Sequence, residues 1–307
     1  MILERDRISY LMSEILIDPD YHYECTQVAI TGANTCAILF ETGDGDHDRT
    51  ISVIFEVEDF DPAKSRPIMI TENWLFSLSA TSTKDLSALE VGRDVWRGAP
   101  DNWARRNAAN WFCNRLWCYD ATTTFLIGVD GLSCRFNGTT YAPIKPGRNT
   151  LLFDIHGQRG RNIYSVGAAG TLQRLDGEAW TPIDLSLSAR FRGVDATRPE
   201  LLRFCGDNGA CFELRDEAEL IPITAPESTF FTVRQWQGNV YWGDSWFGVY
   251  RQNGTELEEF HETRLGYDLR CDNDFLYCVG TDTAWRFDGD SWKSLRLHYE
   301  AGGFTLV

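Results

Sequence analysis

The chain has 307 residues, 45 of them acidic against 29 basic, for a net charge of −16. That balance excludes general nucleic-acid binding, which needs Lys and Arg to neutralise phosphates, and adhesion to anionic membranes. It suits solubility and a basic partner.

The sequence opens on Met1-Ile2-Leu3-Glu4-Arg5-Asp6-Arg7, without the basic stretch and apolar core of a secretion signal. No apolar run approaches the roughly 18 residues needed to span a bilayer. Nine Cys, with no C-x-x-C pair, read as reduced thiols packed as small hydrophobes. Cys205 and Cys211 flank a turn and could bridge a hairpin. Together these features predict a cytoplasmic protein.

Over the first 110 residues the pattern is irregular. Segments 36–40, 50–57, 67–71, 74–79 and 86–91 read as strands. Between the first two lies Gly43-Asp44-Gly45-Asp46-His47-Asp48. Alternate carboxylates can converge on Ca²⁺, but an EF-hand loop would need Gly and Glu where Arg49 and Phe55 stand. The five His show no metal-ligand spacing, and no Walker loop, dinucleotide fingerprint or nucleophile elbow occurs, so neither metal nor cofactor is expected. Over 41–61 eight acidic residues face one Arg. This reads as a negative patch in which Asp44, Asp46, Asp48, Glu56, Glu58, Asp59 and Asp61 would contact a basic protein.

Segment 100–111 stands apart. Pro comes early, Ala and Arg follow, and Trp103, Asn107 and Trp111 are spaced by four. This predicts a short helix inserted between repeats. Trp103, Arg105 and Arg106 make it a second candidate contact surface.

From residue 113 the chain is periodic. Gly128, Gly167, Gly206, Gly243 and Gly280 each close a short apolar run, at steps of 39, 39, 37 and 37 residues. About ten residues after each comes a turn dipeptide: Asn137-Gly138, Asp176-Gly177, Asp216-Glu217, Asn253-Gly254 and Asp288-Gly289. Asn-Gly and Asp-Gly supply the positive φ of tight hairpins. Asp216-Glu217 lacks the Gly and predicts a longer or different turn. Each unit reads as four strands, as in 151–156, 162–167, 170–175 and 179–184. Five units cover 113–144, 150–184, 190–223, 229–260 and 265–297.

Four antiparallel strands cannot bury both faces alone, so the units must stack and close into a ring. Two divergent units before residue 113 bring the total to seven, with six as the alternative. Residues 1–17 and 303–307 are candidates for a ring-closing strand. The repeat resembles the β-propeller superfamily, over about 185 residues. Asp176 to Trp180 and Asp288 to Trp292 are similar to the Asp-Gly-x-x-Trp turns of bacterial propeller repeats. The paired Gly-His and Trp-Asp of WD40 repeats, the double Gly of kelch repeats and the Asp-box of sialidases are absent. The resemblance implies a single all-β domain of four-stranded blades and transfers no functional residue.

A rigid ring without a catalytic motif predicts a non-enzymatic protein-binding propeller, monomeric outside its complex. Its narrower form is an acidic immunity protein or inhibitor that sequesters a basic toxin or effector. Trp242 holds a regular strand position and is expected in the core. Trp246 falls in a lengthened turn and is a third candidate contact. One alternative is a hydrolase or lyase with Asp154, Asp195 and Asp268 at the channel mouth. Another is a carbohydrate-binding propeller with an aromatic pocket in each blade.

Overall fold

A computed structural model describes residues 3, 5–16, 21–43, 49–100, 102–107, 110–137, 139–158, 160, 162–198 and 200–307. The chain begins with a helix, α1 (Arg5–Ile15), and continues as strands. Blade 1 holds β1 (His22–Gly32), β2 (Thr35–Gly43), β3 (Thr50–Glu58) and β4 (Ser65–Thr71). Blade 2 holds β5 (Leu75–Ser82), β6 (Asp85–Glu90), β7 (Asp94–Ala99) and β8 (Asn102–Asn107). Blade 3 holds β9 (Cys113–Asp120), β10 (Thr123–Gly128), β11 (Ser133–Phe136) and β12 (Tyr141–Ile144). Blade 4 holds β13 (Leu152–Gly157), β14 (Ile163–Gly167), β15 (Leu172–Asp176) and β16 (Ala179–Ile183). Blade 5 holds β17 (Phe191–Arg198), β18 (Leu201–Gly206), β19 (Cys211–Arg215) and β20 (Glu219–Pro222). Blade 6 holds β21 (Phe230–Trp236), β22 (Asn239–Asp244), β23 (Gly248–Asn253) and β24 (Glu256–Glu262). Blade 7 holds β25 (Asp268–Cys271), β26 (Leu276–Gly280), β27 (Thr283–Phe287), β28 (Trp292–Glu300) and β29 (Gly303–Leu306).

Each blade is an antiparallel meander in which consecutive strands are neighbours. The first strand of each blade is innermost: β1 lies against β5, β5 against β9, and so on round to β25 against β1. The result is a seven-bladed β-propeller. The inner strands all run the same way. We call the face where they start the upper face and the face where they end the lower face. Alternation then puts the turn between second and third strands on the upper face.

The core explains the ring. Buried apolar side chains form seven clusters, each lodged between two neighbouring blades. Between blades 4 and 5, Phe191 and Phe204 meet edge to face with centroids 4.8 Å apart. Between blades 5 and 6, Trp242 is fully buried, as its strand position implies.

The seventh cluster, between blades 7 and 1, recruits Ile8, Met12 and Ile15 of α1. These positions share one helical face, since residues four and seven apart line up. Burying them contributes roughly 1.5–3 kcal/mol each. Ring closure therefore differs from the expected closing strand. Segment 5–15 is a helix, and β29 pairs with β28 at the outer end of blade 7 and lies against β4. Blades 7 and 1 remain separate sheets, sealed by side chains and by the backbone bond from Cys25 N–H to Thr281 O at 2.8 Å.

The expected helix at 100–111 is also corrected. Residues 102–107 form β8, the outer strand of blade 2, paired with β7 from Asp94–Asn107 to Ala99–Asn102. Trp103 and Arg105 stand two apart on one face, the strand period. The Trp103 indole donates to Ile68 O at 3.1 Å, and Arg105 lies over the Trp96 ring. The ladder satisfies the backbone, and this outweighs the helix preference of Ala and Arg.

The recurring glycines mark close approaches. At Gly128, Gly167, Gly206 and Gly280 an added Cβ would fall within 2.3 Å of a backbone carbonyl just before the blade's inner strand. Asp176-Gly177 makes the expected tight hairpin. Asp216 and Glu217 both take positive φ in a three-residue loop, the longer turn that their lack of Gly predicts. Cys205 and Cys211 face each other across β18 and β19, yet no thiol in the chain is bridged.

Candidate binding site at the upper mouth of the channel

The inner strands share an irregularity. A register shift interrupts β1, β5, β9, β13, β17 and β21 at the same place, near the upper end. The extra residues are Thr26, Phe76, Asn114, Phe153, Arg192 and Phe231, and Tyr267 just precedes β25. A bulge re-aims a side chain. Here all but Asn114 line one cavity of about 270 Å³ on the channel axis.

The wall is aromatic. Phe231 and Tyr267 have centroids 4.9 Å apart, and Phe76 stacks on Phe112 at 6.5 Å. The Arg192 guanidinium lies 5.3 Å from the Phe153 centroid and 5.6 Å from that of Phe231. Behind it, Asp207 accepts from Arg192 Nε at 2.5 Å.

The opposite wall is acidic. Glu24 comes from β1 and Glu41 from β2. Glu41 is only 3% exposed. The Thr26 hydroxyl donates to Glu41 Oε1 at 3.1 Å, and burial pushes its carboxyl up to about 8. Burial, with Glu24 and Glu41 nearby, also pushes the Tyr267 hydroxyl up.

The floor is a plug of paired charges. Arg115 Nη1 donates to Gln27 Oε1 at 2.7 Å, and its guanidinium meets Asp154 at 3.3 Å and Asp268 at 3.4 Å. Asp268 also meets Arg270 at 3.1 Å. Asp154 accepts the Val194 N–H at 3.0 Å, and Asp195 accepts the Gln235 N–H at 2.9 Å. The three aspartates are buried on the inner strands, and each is engaged in joining blades. Below them opens a lower mouth of about 280 Å³, bordered by Trp117, His156, Arg234 and Arg270. Among the described residues no cluster of His, Cys, Asp and Glu could hold a metal ion.

The expected acidic patch is split. Asp44, Asp46 and Asp48 lie outside the described residues. Glu41 sits at the upper mouth, whereas Glu56, Glu58, Asp59 and Asp61 lie toward the lower end of blade 1's outer strands. Several are matched there: Glu56 with Arg66 at 2.8 Å and Asp59 with Lys64 at 2.5 Å. Asp61 caps the turn that follows, accepting from Ala63 N–H at 2.9 Å. On blade 2's outer strand Arg105 pairs with Glu90 and Asp94, while Arg106 is exposed. Trp246 is 84% exposed on the upper face, above a hollow that also includes Glu227 and Tyr250. These candidates do not converge on one surface.

Sequence reading missed the mouth. The available signal was a second period, since Asn114, Phe153, Arg192 and Phe231 are spaced by 39. Each follows a buried residue directly, as in Leu152-Phe153 and Phe230-Phe231, so it breaks the strand's alternation where a bulge is needed.

Neither a protein-family model nor a curated protein matches the sequence. Solved structures do match in shape. The chain is similar to YCF48 bound to D1 peptide, with a TM-score of 0.66 and 9% identity over 88% of this chain and 96% of that one. It is similar to the WD40 β-propeller domain of Doa1, with a TM-score of 0.66 and 8% identity over 88% and 97%. It is also similar to Sqt1 of Saccharomyces cerevisiae, with a TM-score of 0.61 and 10% identity over 93% and 96%. Likenesses at this identity establish the propeller fold alone.

Proposed function

We propose that this propeller is a protein-binding module that presents its upper face to a partner. One observation carries the reading. Outside the N-terminal segment 5–16 and the final residue, the exposed large apolar side chains among the described residues are Val91, Phe112, Trp246 and Tyr267. All four belong to upper-face segments around the open mouth. Exposed aromatic residues grouped about a concave centre are the usual anchors of protein recognition. A propeller of similar shape is known with a bound peptide, which agrees with this use of the fold.

The narrower reading is an inhibitor, of the immunity type, that sequesters a basic toxin or effector. Its support is the net charge of −16 and the acidic wall formed by Glu24 and Glu41. The site of action we propose is the cytoplasm, in keeping with nine unbridged cysteines. Affinity capture from the source organism tests the main reading. Wild-type protein should retain a stoichiometric partner, and a Trp246→Ala, Phe112→Ser double variant should lose it. The rim variant Glu58→Gln, Arg106→Ala should keep it. Loss with the rim variant alone would move the contact elsewhere and refute the upper face.

A further inference from the structure

We infer that the upper mouth is a socket for a single basic side chain, lysine or arginine, that the partner inserts along the channel axis. The inference rests on the upper-face reading and adds the chemistry of the contact.

Four observations lead there. The first is shape: a cavity of about 270 Å³ on the axis, walled by side chains from the inner strands. The second is the balance of charge inside it. Arg192 is matched by Asp207, and Arg115 by Asp154 and Asp268. Glu41 receives a hydroxyl bond from Thr26. Among the described residues no Lys or Arg pairs with Glu41 or Glu24. The mouth therefore holds two acidic side chains that no Lys or Arg matches. Glu41 keeps its proton because its charged form is buried without a cation, and an inserted cation would let it ionise.

The third is the wall around that charge. Trp74, Phe76 and Tyr267 border the same cavity as the two carboxylates, and rings beside carboxylates favour a cation through both quadrupole and charge. The fourth is internal precedent. The fold already holds a guanidinium between two of these rings, Arg192 between Phe153 and Phe231, with Asp207 behind it. The Glu24 and Glu41 side repeats that chemistry with no Lys or Arg of its own; its one basic neighbour is His22, 3.7 Å from Glu24. An anion there would oppose Glu24 and hold Glu41 protonated, whereas a cation would match both side chains.

Small mimics of the side chains test this without a partner in hand. The probes are n-butylammonium and n-butylguanidinium chloride, with 1-butanol as the neutral control, read by tryptophan fluorescence and saturation-transfer NMR. The cations should bind the wild-type chain in the millimolar range. Glu24→Gln, Glu41→Gln should weaken that binding by about tenfold or more. Its thermal midpoint shows that the fold is kept, since both changes are isosteric. The rim variant Glu58→Gln, Arg106→Ala lies outside the socket and should bind the cations as the wild type does. Equal binding of 1-butanol, absence of cation binding, or unchanged affinity in the Gln variant would each overturn the socket. Partner capture that depends on Trp246 and Phe112 but survives the Gln substitutions would leave the docking face standing and overturn the socket alone.

Discussion

The carboxylate of Asp195, on the inner strand of blade 5, accepts the backbone N–H of Gln235, on the inner strand of blade 6, at 2.9 Å. The bond recurs round the ring with other side chains. Asp154 accepts from Val194 N–H at 3.0 Å, His156 from Ala196 N–H at 3.0 Å, and Ser77 and Ser79 from Leu116 and Cys118 N–H at 3.2 and 3.0 Å. Inner strands of neighbouring blades share no sheet. Their inward N–H groups would be orphaned without these side chains. The channel walls are polar for that reason first.

Asp195 is 1% exposed. Burial alone would raise its carboxyl, but the hydrogen bonds and charges of His156, Arg234 and Thr197 outweigh burial and hold it far below the ordinary carboxylate range. His156 itself is pushed down by burial and by Arg234. Its Nδ1 lies 3.4 Å from Asp195, and Arg234 adds a further counter-charge to that carboxylate. Asp195→Ala should cost about 3–5 kcal/mol at pH 7, and Asp195→Asn less. Because the folded value is depressed, the stabilisation is complete above the unfolded value near 3.8 and is lost as pH falls through the folded value. Urea unfolding measures both, and a loss below about 1 kcal/mol for the Ala variant would deny the bond its role.

The recurring glycine yields a sharper contrast. At Gly206 a Cβ would sit 1.9 Å from Arg190 O, with extended backbone and no left-handed φ. At Gly177 nothing lies within 4 Å, and the difficulty is φ of +63°. Gly206→Ala should therefore cost about 3 kcal/mol or more through steric conflict. Gly177→Ala should cost about 1 kcal/mol through backbone strain. Chemical denaturation of the two variants decides it, and equal costs would show that the repeat selects glycine for turns alone.

Glu217 shows why one hairpin dispenses with glycine. It holds φ of +54° while reaching from blade 5 to blade 4, where it accepts from the Tyr164 hydroxyl at 2.6 Å and from Arg174 at 2.7 Å. Glu217→Gly loses both contacts but relaxes the backbone, whereas Glu217→Ala loses both and keeps the strain. The Gly variant should be the more stable of the two by about 1 kcal/mol. The reverse order in urea unfolding would mean that the turn carries no strain.

The repeat made the blades legible because glycine, hairpin and aromatic residue all sit at fixed offsets in one local unit. Blade 1 was partly hidden. Its strands β1 to β3 span nine or more residues, and β2 and β3 are buried for most of their length, so alternation is faint. Segment 102–107 misled for the opposite reason: spacing by four and helix-forming residues concealed a two-residue period at Trp103 and Arg105. The binding mouth was the least legible part. Its walls come from six blades, and Glu24 and Glu41 meet only because β1 and β2 pair in register. Local sequence read Glu41 as one end of an acidic run whose other end lies toward the opposite face of the ring.

Glu41 carries a pH dependence that separates it from the rest of the chain. Burial raises its carboxyl from 4.5 to about 8, so the folded protein keeps a proton there that the unfolded chain releases. For a raised carboxylate the contribution is greatest below the unfolded value and is lost as pH rises toward the folded value. Between pH 5 and pH 9 the wild-type chain should lose on the order of 4 kcal/mol from this group. The buried thiols titrate upward as well, through burial, so the test is a difference between two proteins. Glu41→Gln keeps the shape and cannot ionise. Its stability relative to the wild type should rise steadily across that range when urea unfolding is repeated at pH 5, 7 and 9. Addition of n-butylammonium should shrink the difference at pH 9, because a cation in the mouth offsets the charge that burial opposes. Parallel stability curves for the two proteins would show that Glu41 ionises freely, and the uncompensated carboxylate at the centre of the mouth would then be excluded.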